Sequence, residues 1–359
     1  MKAEAVHPSR LSGPDLAAWR ALRTADTRWS TPYLAPEWAE AVGRVRPDAR
    51  VVLFRDSAGT AVGFLPVQRP HGFAAVPAGG AVCDYQAIVA APRAGIDPRL
   101  AARALGVGRI DMPCALADGR DASQGGGHLV SFADGWDGYR DALKARGSKV
   151  LSRADKRYRK LGRDTAAAGQ GELTFEAFCT DEAVFDTLVR WKREQYARTG
   201  VRDIFSHGWV DALVRDTFRQ SAAREFGGAM FVLRVGGKPV SILYCLRSGQ
   251  ALHAWFTAYD PDWAEHSPGL LTFVEAIRAS AQAGFNEMDL GPGDYQFKES
   301  LATGVRPAAP AFIGAPSVSA ALRAAEFGVR RMAESLPLGR ASHWPAKAMR
   351  RMDIVAGLD

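Results

Sequence analysis

Short runs of apolar, β-branched and aromatic residues recur along the chain, separated by turns that contain glycine. One group of runs begins near residue 50 and contains VVLFRD, a turn ending at Gly59, and TAVGFLPVQ. A second group begins at Gly228 and contains AMFVLRV, PVSILYCL and ALHAWFTAY, again with glycine at the turns. Runs of this length between glycine turns are typical of antiparallel hairpins. The pattern therefore predicts two antiparallel β meanders.

Each predicted meander is followed by a helix and one further strand. In the first group, a short helix at 98–105 leads to a strand at 108–112. In the second, a longer helix at 268–283 leads to a strand at 287–290. Amphipathic helices are also predicted before the meanders, at 14–23, 35–45, 181–199 and 207–219. The repeated order predicts an α/β (α+β) fold of two tandem units, each a mostly antiparallel mixed sheet flanked by helices.

The chain is expected to divide into three parts. A length of 359 residues suits two domains of ordinary size, and we place a first unit at 1–135, a second at 136–310 and a helical tail at 311–359. A glycine-rich segment at 118–127 is the predicted loop near the first boundary. In the tail, apolar residues recur in steps of four and three, at 318, 322, 325, 329, 332 and 336, as in an amphipathic helix. We expect this apolar stripe to be buried, against the body, lipid or a partner, with the tail arginines facing outward.

Composition indicates a soluble, cytoplasmic protein. Hydrophobic residues make up 47% and charged residues 24% of the chain, as in globular proteins. No run approaches the roughly 18 apolar residues that a membrane span needs, and the first residues lack the apolar core of a signal peptide. The chain has four cysteines, Cys83, Cys114, Cys179 and Cys245. None of them forms a CxxC pair or has a histidine at the spacing typical of a metal site. We therefore expect no metal site and a reducing compartment.

Basic charge is concentrated in two places. The segment 144–163 holds nine basic residues and one acid, a surplus of eight against a net charge of +7 for the whole chain. It is either a solvated helix face or an anion or substrate site, with Lys149, Arg153 and Arg157 as candidates. The tail is the second concentration, and Arg330, Arg331, Arg350 and Arg351 are its candidate anion site. Because basic residues beside an apolar stripe are attracted to acidic lipid, the tail predicts peripheral contact with the inner membrane.

Two short motifs match fragments of cyclic-dinucleotide-binding domains of the PilZ type. They are Arg153 with Arg157, and Asp121 with Ser123 and Gly126, in reversed order relative to that family. A cyclic dinucleotide such as cyclic di-GMP is therefore one candidate partner. DNA is not expected, because no zinc-finger, helix-turn-helix or RNP signature occurs.

The segment 252–301 carries the most specific signal. A strand ends at Tyr259, and after a short loop Ser267-Pro268-Gly269-Leu270 starts the helix 268–283. The N-terminus of a helix presents unpaired N–H groups and positive dipole charge, which suit a pyrophosphate. We therefore predict that these five residues bind a cofactor.

At this point the chain resembles the acetyltransferase-like proteins of cellulose and exopolysaccharide synthesis, the CelD type of the GNAT superfamily, which include holdfast-polysaccharide acetyltransferases. The resemblance spans roughly 144–304 and is carried by the basic segment, the SPG-LL helix start and DLGPGDYQFK at 289–298. It implies an N-acetyltransferase that uses acetyl-CoA. The superfamily also includes Fem-type aminoacyltransferases, which look like tandem GNAT units. Here the Q/R-x-x-G-x-G/A loop is replaced by DWAEHSPG, so acetyl-CoA and aminoacyl-tRNA both remain candidate donors.

Acyl transfer to an amine needs a proton acceptor and groups that stabilise the oxyanion and the leaving thiolate. The candidates are His253 on the central strand, Asp289 at a strand end, Tyr295 as proton donor and Lys298 as an anion ligand, each of which could instead be structural. Our leading hypothesis is transfer of an acetyl group to an amino sugar of an exopolysaccharide, or of its small-molecule or lipid-linked precursor. The alternatives are a Fem-like transferase that uses aminoacyl-tRNA and a regulatory protein that binds a cyclic dinucleotide.

Overall fold

A computed structural model describes residues 1–70, 72–117, 126–221, 225–293, 295–336, 342 and 344–358 of the chain. Its strands are β1 (Lys2–Val6), β2 (Ala49–Arg55), β3 (Ala61–Gln68), β4 (Ala74–Pro77), β5 (Val89–Ala90), β6 (Arg109–Leu116), β7 (Gly126–Ser131), β8 (Leu173–Ala177), β9 (Phe226–Val235), β10 (Lys238–Ser248), β11 (Ala251–Tyr259), β12 (Glu287–Pro292) and β13 (Gly304–Gly314). Its α-helices are α1 (Gly13–Ala25), α2 (Pro36–Val45), α3 (Arg99–Leu105), α4 (Gly135–Ala145), α5 (Val150–Ala167), α6 (Glu182–Thr199), α7 (Gly208–Arg219), α8 (Pro268–Gln282), α9 (Gln296–Leu301), α10 (Val318–Ser335) and α11 (Trp344–Leu358).

The chain forms two compact units, one of residues 1–124 with 307–359 and the other of residues 125–306. The boundaries expected from the sequence, 1–135, 136–310 and 311–359, differ from these because the tail belongs to the first unit. There β13 pairs with β6, although it follows the whole second unit in the sequence. Pairing between distant strands decides this membership, and composition along the chain carries no signal of it.

The two units have the same sheet topology. The first has the strand order β1-β2-β3-β4-β6-β13, with β5 beside β3, and the second has the order β8-β9-β10-β11-β12-β7. In both, the fourth and fifth strands are parallel and the other neighbours in the order are antiparallel. Two helices follow the first strand of each unit, and another helix lies between its two parallel strands. The prediction of two tandem mixed α/β units is confirmed.

The second unit buries both faces of its sheet. On one face, side chains of α5 and α8 join the hydrophobic core of the sheet. On the other face, aromatic rings of α6 and α7 pack on β10, where the Phe185 ring lies 5.6 Å from the Tyr244 ring. Gly228 makes room for this tyrosine, since a Cβ at Gly228 would lie 2.2 Å from the Tyr244 hydroxyl. The helices therefore hold β11 in a fixed position from both sides.

The tail helix α10 has the opposite orientation to the one we expected. Its apolar stripe is exposed, with Val318 78% and Met332 62% accessible to solvent. Arg323 faces inward instead, and only 2% of its side chain is exposed. Its guanidinium is paired with Asp111 at 3.0 Å and Asp353 at 2.6 Å. The predictions that the stripe packs on the body and that all tail arginines face outward are wrong, because these buried carboxylates orient the helix.

In the described part of the chain, no helix has the length and hydropathy needed to cross a membrane.

Replacing Arg323 with Met should lower the free energy of unfolding by about 3–5 kcal/mol, because it leaves Asp353 buried without its counter-charge and removes one of the two arginines paired with Asp111, the other being Arg109. Arg331→Met on the same helix is the matched control, since Arg331 is exposed and should change stability by less than about 0.5 kcal/mol. Urea unfolding of both variants measures the difference. Equal stability of the two variants would contradict the role assigned to Arg323.

Candidate active site

The parallel strands β11 and β12 of the second unit pair over three residues only. The register runs from Ala251 with Glu287 to His253 with Asp289, whereas β11 continues to Tyr259. Beyond this point the register with β10 shifts, so that Trp255 is an extra residue in β11. A bulge of this kind bends a strand and increases its twist. The sheet therefore opens between β11 and β12, at its centre.

The N-terminus of α8 follows the end of β11 after a 3₁₀ turn at Pro261–His266. Ser267 has a φ of 54° and occupies the N-cap position, and its carbonyl accepts the N–H groups of Leu270 and Leu271. Because Pro268 has no N–H, Gly269 is the first residue of the helix with an N–H to offer. A Cβ at Gly269 would lie 3.7 Å from the Tyr259 ring. The structure thus brings together the predicted cofactor residues Tyr259, Ser267, Pro268, Gly269 and Leu270.

The basic helix α5 lies beside this helix start. Arg157 donates a hydrogen bond of 3.2 Å from Nη1 to Oγ of Ser267, and Arg278 of α8 is paired with Asp155 of α5 at 2.9 Å. Of the predicted anion residues, Arg157 therefore lies at the α8 N-terminus. Lys149 and Arg153 lie nearer the start of α5 and are exposed to solvent.

A cleft of about 730 Å³ lies between α5 and the turn before α8. Basic and acidic side chains line it together, among them Arg157, Lys160, Asp262 and His266. Glu265 of the same turn is paired with His266 at 3.2 Å. Asp262 and Glu265, the acids that distinguish this turn from a glycine-rich loop, therefore line the same cleft as basic side chains and His266.

His253 and Asp289 lie together inside the sheet. His253 is fully buried, and its Nδ1 lies 3.8 Å from Oδ1 of Asp289. The same carboxylate accepts the N–H of Gly291 at 2.8 Å and is paired with Nε of Arg306 at 2.7 Å. Arg306 also pairs with Glu287 at 2.6 Å. This buried network suits a positioning role at the end of β12 better than direct contact with substrate.

Tyr295 and Lys298 form a second, more accessible pair beyond β12. Tyr295 is 61% exposed, and the Lys298 ammonium lies 5.2 Å from the centre of its ring. Lys298 also donates a hydrogen bond of 3.1 Å to the carbonyl of Pro292. The predicted catalytic residues thus form two pairs. His253 and Asp289 are buried, whereas Tyr295 and Lys298 are more accessible.

Three residues at this site were not identified from the sequence. No local sequence pattern identifies Arg306 or Trp255. Arg306 is at the site because it pairs with Asp289, which is distant in sequence, and Trp255 because the strand register shifts there. Lys192 did carry a signal, because it follows the apolar position Leu188 of α6 by four residues. Burial lowers the pKa of the Lys192 ammonium to about 8. Perturbed groups of this kind concentrate at functional sites.

The corresponding opening of the first unit is filled by the protein itself. There the parallel strands β4 and β6 pair over only two residues, and the C-terminal helix α11 packs on both strands and on the turn at 80–82. Gly357 lies so close that a Cβ at Gly80 would be 1.8 Å from its carbonyl oxygen. Gln68 also donates a hydrogen bond of 3.4 Å to that carbonyl. The first unit also has only a seven-residue helix, α3, where the second unit has α8 of 15 residues. The second unit is therefore the candidate for cofactor binding.

The four arginines of the candidate anion site in the tail differ in exposure and pairing. Arg330 is paired with Glu334 at 2.8 Å, and 15% of its side chain is exposed. Arg331, Arg350 and Arg351 are exposed. For the PilZ-type motif, Arg153 and Arg157 lie one turn apart on α5, whereas Asp121 and Ser123 lie outside the described residues.

Comparison with known proteins agrees with this geometry. Residues 151–299 match the family model described as an acetyltransferase (GNAT) domain. Over this segment, 149 of the 359 residues, the chain is similar to a GNAT acetyltransferase domain. The segment spans α5 to α9 and therefore contains the opening between β11 and β12 and the start of α8. The prediction of a GNAT-type acyltransferase is confirmed at this level.

Two solved structures, aligned at TM-scores of 0.51 and 0.50, show the same fold over both units. A tandem GNAT protein from the clavulanic acid biosynthesis pathway aligns with 88% of this chain and 99% of its own, at a TM-score of 0.51 and 12% identity. A conserved protein of unknown function from Bacteroides thetaiotaomicron aligns with 83% of this chain and 97% of its own, at 0.50 and 9%. FemX aligns with 87% of this chain and 95% of its own, at 0.49 and 11%. No curated protein matches the sequence.

The buried and exposed pairs of the GNAT domain should respond differently to substitution. Asp289→Ala removes one of the two carboxylates paired with buried Arg306 and the acceptor of the Gly291 N–H, and should lower the free energy of unfolding by about 1–3 kcal/mol. Tyr295→Phe removes one exposed hydroxyl and should change stability by less than about 0.5 kcal/mol, yet lower turnover about a hundredfold if the phenol donates a proton. Urea unfolding and thioester turnover measure the two effects. Full turnover in Tyr295→Phe, with a stable but inactive Asp289→Ala, would reverse the two roles.

Lys192→Met should stabilise the protein at pH 7 by roughly 1–3 kcal/mol, because it removes the cost of burying a charge. The folded-state pKa of about 8 lies below the ordinary value of 10.5, so the native state binds fewer protons than the unfolded state between these values. The cost is therefore complete below pH 8 and declines as the pH rises toward 10.5. Urea unfolding of both proteins at pH 7 and pH 9 should show a smaller difference at pH 9. A difference that does not change with pH would refute the assignment.

Proposed function

We propose that the protein is an N-acyltransferase that transfers an acetyl group from acetyl-CoA to an amino sugar of an exopolysaccharide or of its lipid-linked precursor. The observation that supports this most directly is the position of Arg157 over the N-terminus of α8, beside the open strands β11 and β12. An anionic donor with a long arm fits a site with a phosphate receptor at its mouth and an opening in the sheet beyond it. The GNAT domain gives the reaction class.

The side chains at the mouth of the site fit the phosphates of a coenzyme A donor. The Gly269 N–H, the dipole of α8 and the Arg157 guanidinium would hold them. Tyr259, which is 41% exposed and lies over Gly269, would contact the pantetheine arm. The donor supplies the acyl group as a reactive thioester.

The protein's own contribution is to orient the donor and to move protons. Attack by an amine releases a proton, and the departing thiolate takes one up. Tyr295 is placed to donate a proton because its phenol is accessible at the end of β12. The network of His253, Asp289 and Arg306 would keep that strand end in position.

Calorimetric titration with acetyl-CoA tests the donor site. Gly269→Trp should lower affinity by about a hundredfold or more, equivalent to about 2.7 kcal/mol, because the indole would fill the space before α8. Gly208→Trp is the matched control, since Gly208 also lies in the first turn of a helix of the same unit and a Cβ there would meet no other atom within 4 Å. Arg157→Met should weaken binding by about tenfold through loss of a charge-assisted contact. Unchanged affinity in Gly269→Trp would place the donor elsewhere.

Aminoacyl-tRNA is the second candidate donor. The observation that favours it is the exposed basic surface of α5, formed by Arg153, Lys156, Arg157, Arg159 and Lys160. A polyanion would contact this whole surface and would bind with a steep dependence on salt. Binding of aminoacyl-tRNA in a gel-shift assay, together with no heat from acetyl-CoA, would select this donor.

We further propose that the outward surface of the tail contacts an anionic lipid bilayer. Apolar side chains of α10 and α11 are exposed to solvent, and so are Lys347, Arg350 and Arg351 of α11. The acids of both helices, Glu326, Glu334 and Asp353, are paired with arginines. Apolar residues with unneutralised basic ones are the features of interfacial helices.

Vesicle co-sedimentation tests this contact. Val329→Glu should lower binding to vesicles that contain phosphatidylglycerol by about tenfold, since it places a carboxylate in the apolar contact. Val201→Glu in the second unit is the matched control, because Val201 is 56% and Val329 is 52% exposed. A cyclic dinucleotide that releases the protein from vesicles would support the predicted regulation. Equal binding of both variants, or no binding by the unchanged protein at low salt, would refute lipid contact.

A further inference from the structure

Lys192 of α6 is a partly buried cation without a counter-ion. Its Nζ donates a hydrogen bond of 3.0 Å to Oε1 of Gln195 and lies 4.8 Å from the centre of the Tyr196 ring. Throughout the described ranges of the chain, no carboxylate forms an ion pair with it. Buried charges are normally paired, because desolvation without compensation is costly. The arrangement therefore lacks an anion.

The acids near this part of α6 are bound to other residues. Asp203 faces Tyr196, and its carboxylate is paired with Arg193 at 2.9 Å. Asp186, two turns earlier on α6, is paired with Arg215 of α7 at 2.7 Å. On β11, against which α6 packs, the titratable side chains are His253, which lies beside Asp289, and Tyr259. Neither helix nor strand offers Lys192 a negative partner.

Lys192 belongs to α6, which packs on β11, the strand that borders the opening in the sheet. The residue after it, Arg193, is paired with Asp203, which accepts the N–H of Phe205 at 2.9 Å. The Phe205 ring packs on Phe256 of β11 at 5.2 Å, and Phe256 follows the bulged Trp255. Since α6 packs on the face of the sheet opposite to α8 and its helix start, an acceptor that enters from that face would approach α6.

We propose that Lys192, with Gln195 and Tyr196, binds an oxyanion of the acceptor substrate, a phosphate ester or a carboxylate. This assignment rests on the proposed acyltransferase function and specifies its acceptor as anionic. If Lys192 were neutral, it would not select between substrates. A charged Lys192 would bind an oxyanion of the acceptor, which would complete the missing ion pair and orient the acceptor beside β11. Gln195 and Tyr196 supply further polar contacts.

Sulfate is a probe that reports on Lys192 without turnover or acetyl-CoA. Because burial holds the pKa of Lys192 at about 8, the side chain is only partly protonated at pH 8. A bound oxyanion raises this pKa, so binding should take up as much as about half a proton. Sulfate itself does not titrate at this pH, and sulfate bound at Arg157 takes up no proton because arginine is always charged. Calorimetry in buffers of different ionisation enthalpy measures the uptake.

The full-length protein should take up protons when it binds sulfate at pH 8, and Lys192→Met should not. Lys192→Arg should bind sulfate without proton uptake, and Lys238→Met, which changes an exposed lysine at the start of β10, should behave like the unchanged protein. Proton uptake that persists in Lys192→Met, or no uptake by the unchanged protein, would overturn the proposal.

Competition with sulfate identifies the kind of oxyanion. Glucosamine 1-phosphate should displace sulfate from Lys192 if the site takes a phosphate ester, and muramic acid should do so if it takes a carboxylate, with glucosamine as the reference. If neither displaces sulfate better than glucosamine, the site does not recognise an acceptor anion. Failure of the donor titration with acetyl-CoA would leave this result intact, so the two proposals can fail separately.

Discussion

The candidate site depends on the carboxylate of Asp289. Asp289 is the last residue of β12 that pairs with β11, and its side chain accepts the N–H of Gly291. Gly291 has a φ of 77°, a conformation that side chains disfavour and that turns the strand away from its neighbour. Arg306 holds the other carboxylate oxygen. This buried ion pair thus fixes the place where the sheet opens, and the helix start, the bulge and Tyr295 are arranged around it.

The two units show how one topology can have two outcomes. In both, a short parallel pairing between the fourth and fifth strands creates an opening. In the second unit a helix of 15 residues begins beside it, and Arg157 adds positive charge. In the first, the helix has seven residues and α11 packs into the opening through the close contact of Gly80 with Gly357. Because neither glycine has a side chain, the two backbones can come into contact, and this permits the packing.

The tail shows that amphipathicity alone does not tell which face of a helix is buried. The hydrophobic stripe of α10 has the spacing of a core-facing helix, yet the inward side carries Arg323 with Asp111, Glu326 and Asp353. Breaking such a cluster would leave buried charges without partners. The buried ion pairs therefore determine which face of α10 is turned inward.

The sequence by itself determined the two meanders, the helices before and after them, their duplicated order and the helix start at Ser267-Pro268-Gly269, because periodicity, turn glycines and caps are local signals. It did not predict β1, β7 or β8. It also indicated the residue types at the site, from His253 to Lys298. Tertiary structure alone decided which of them are buried, that β13 completes the first unit, that Arg306 binds Asp289, and that no carboxylate among the described residues pairs with Lys192. These features arise from contacts between residues far apart in the chain, and the burial and pairing of a charge depend on such contacts and not on neighbouring sequence.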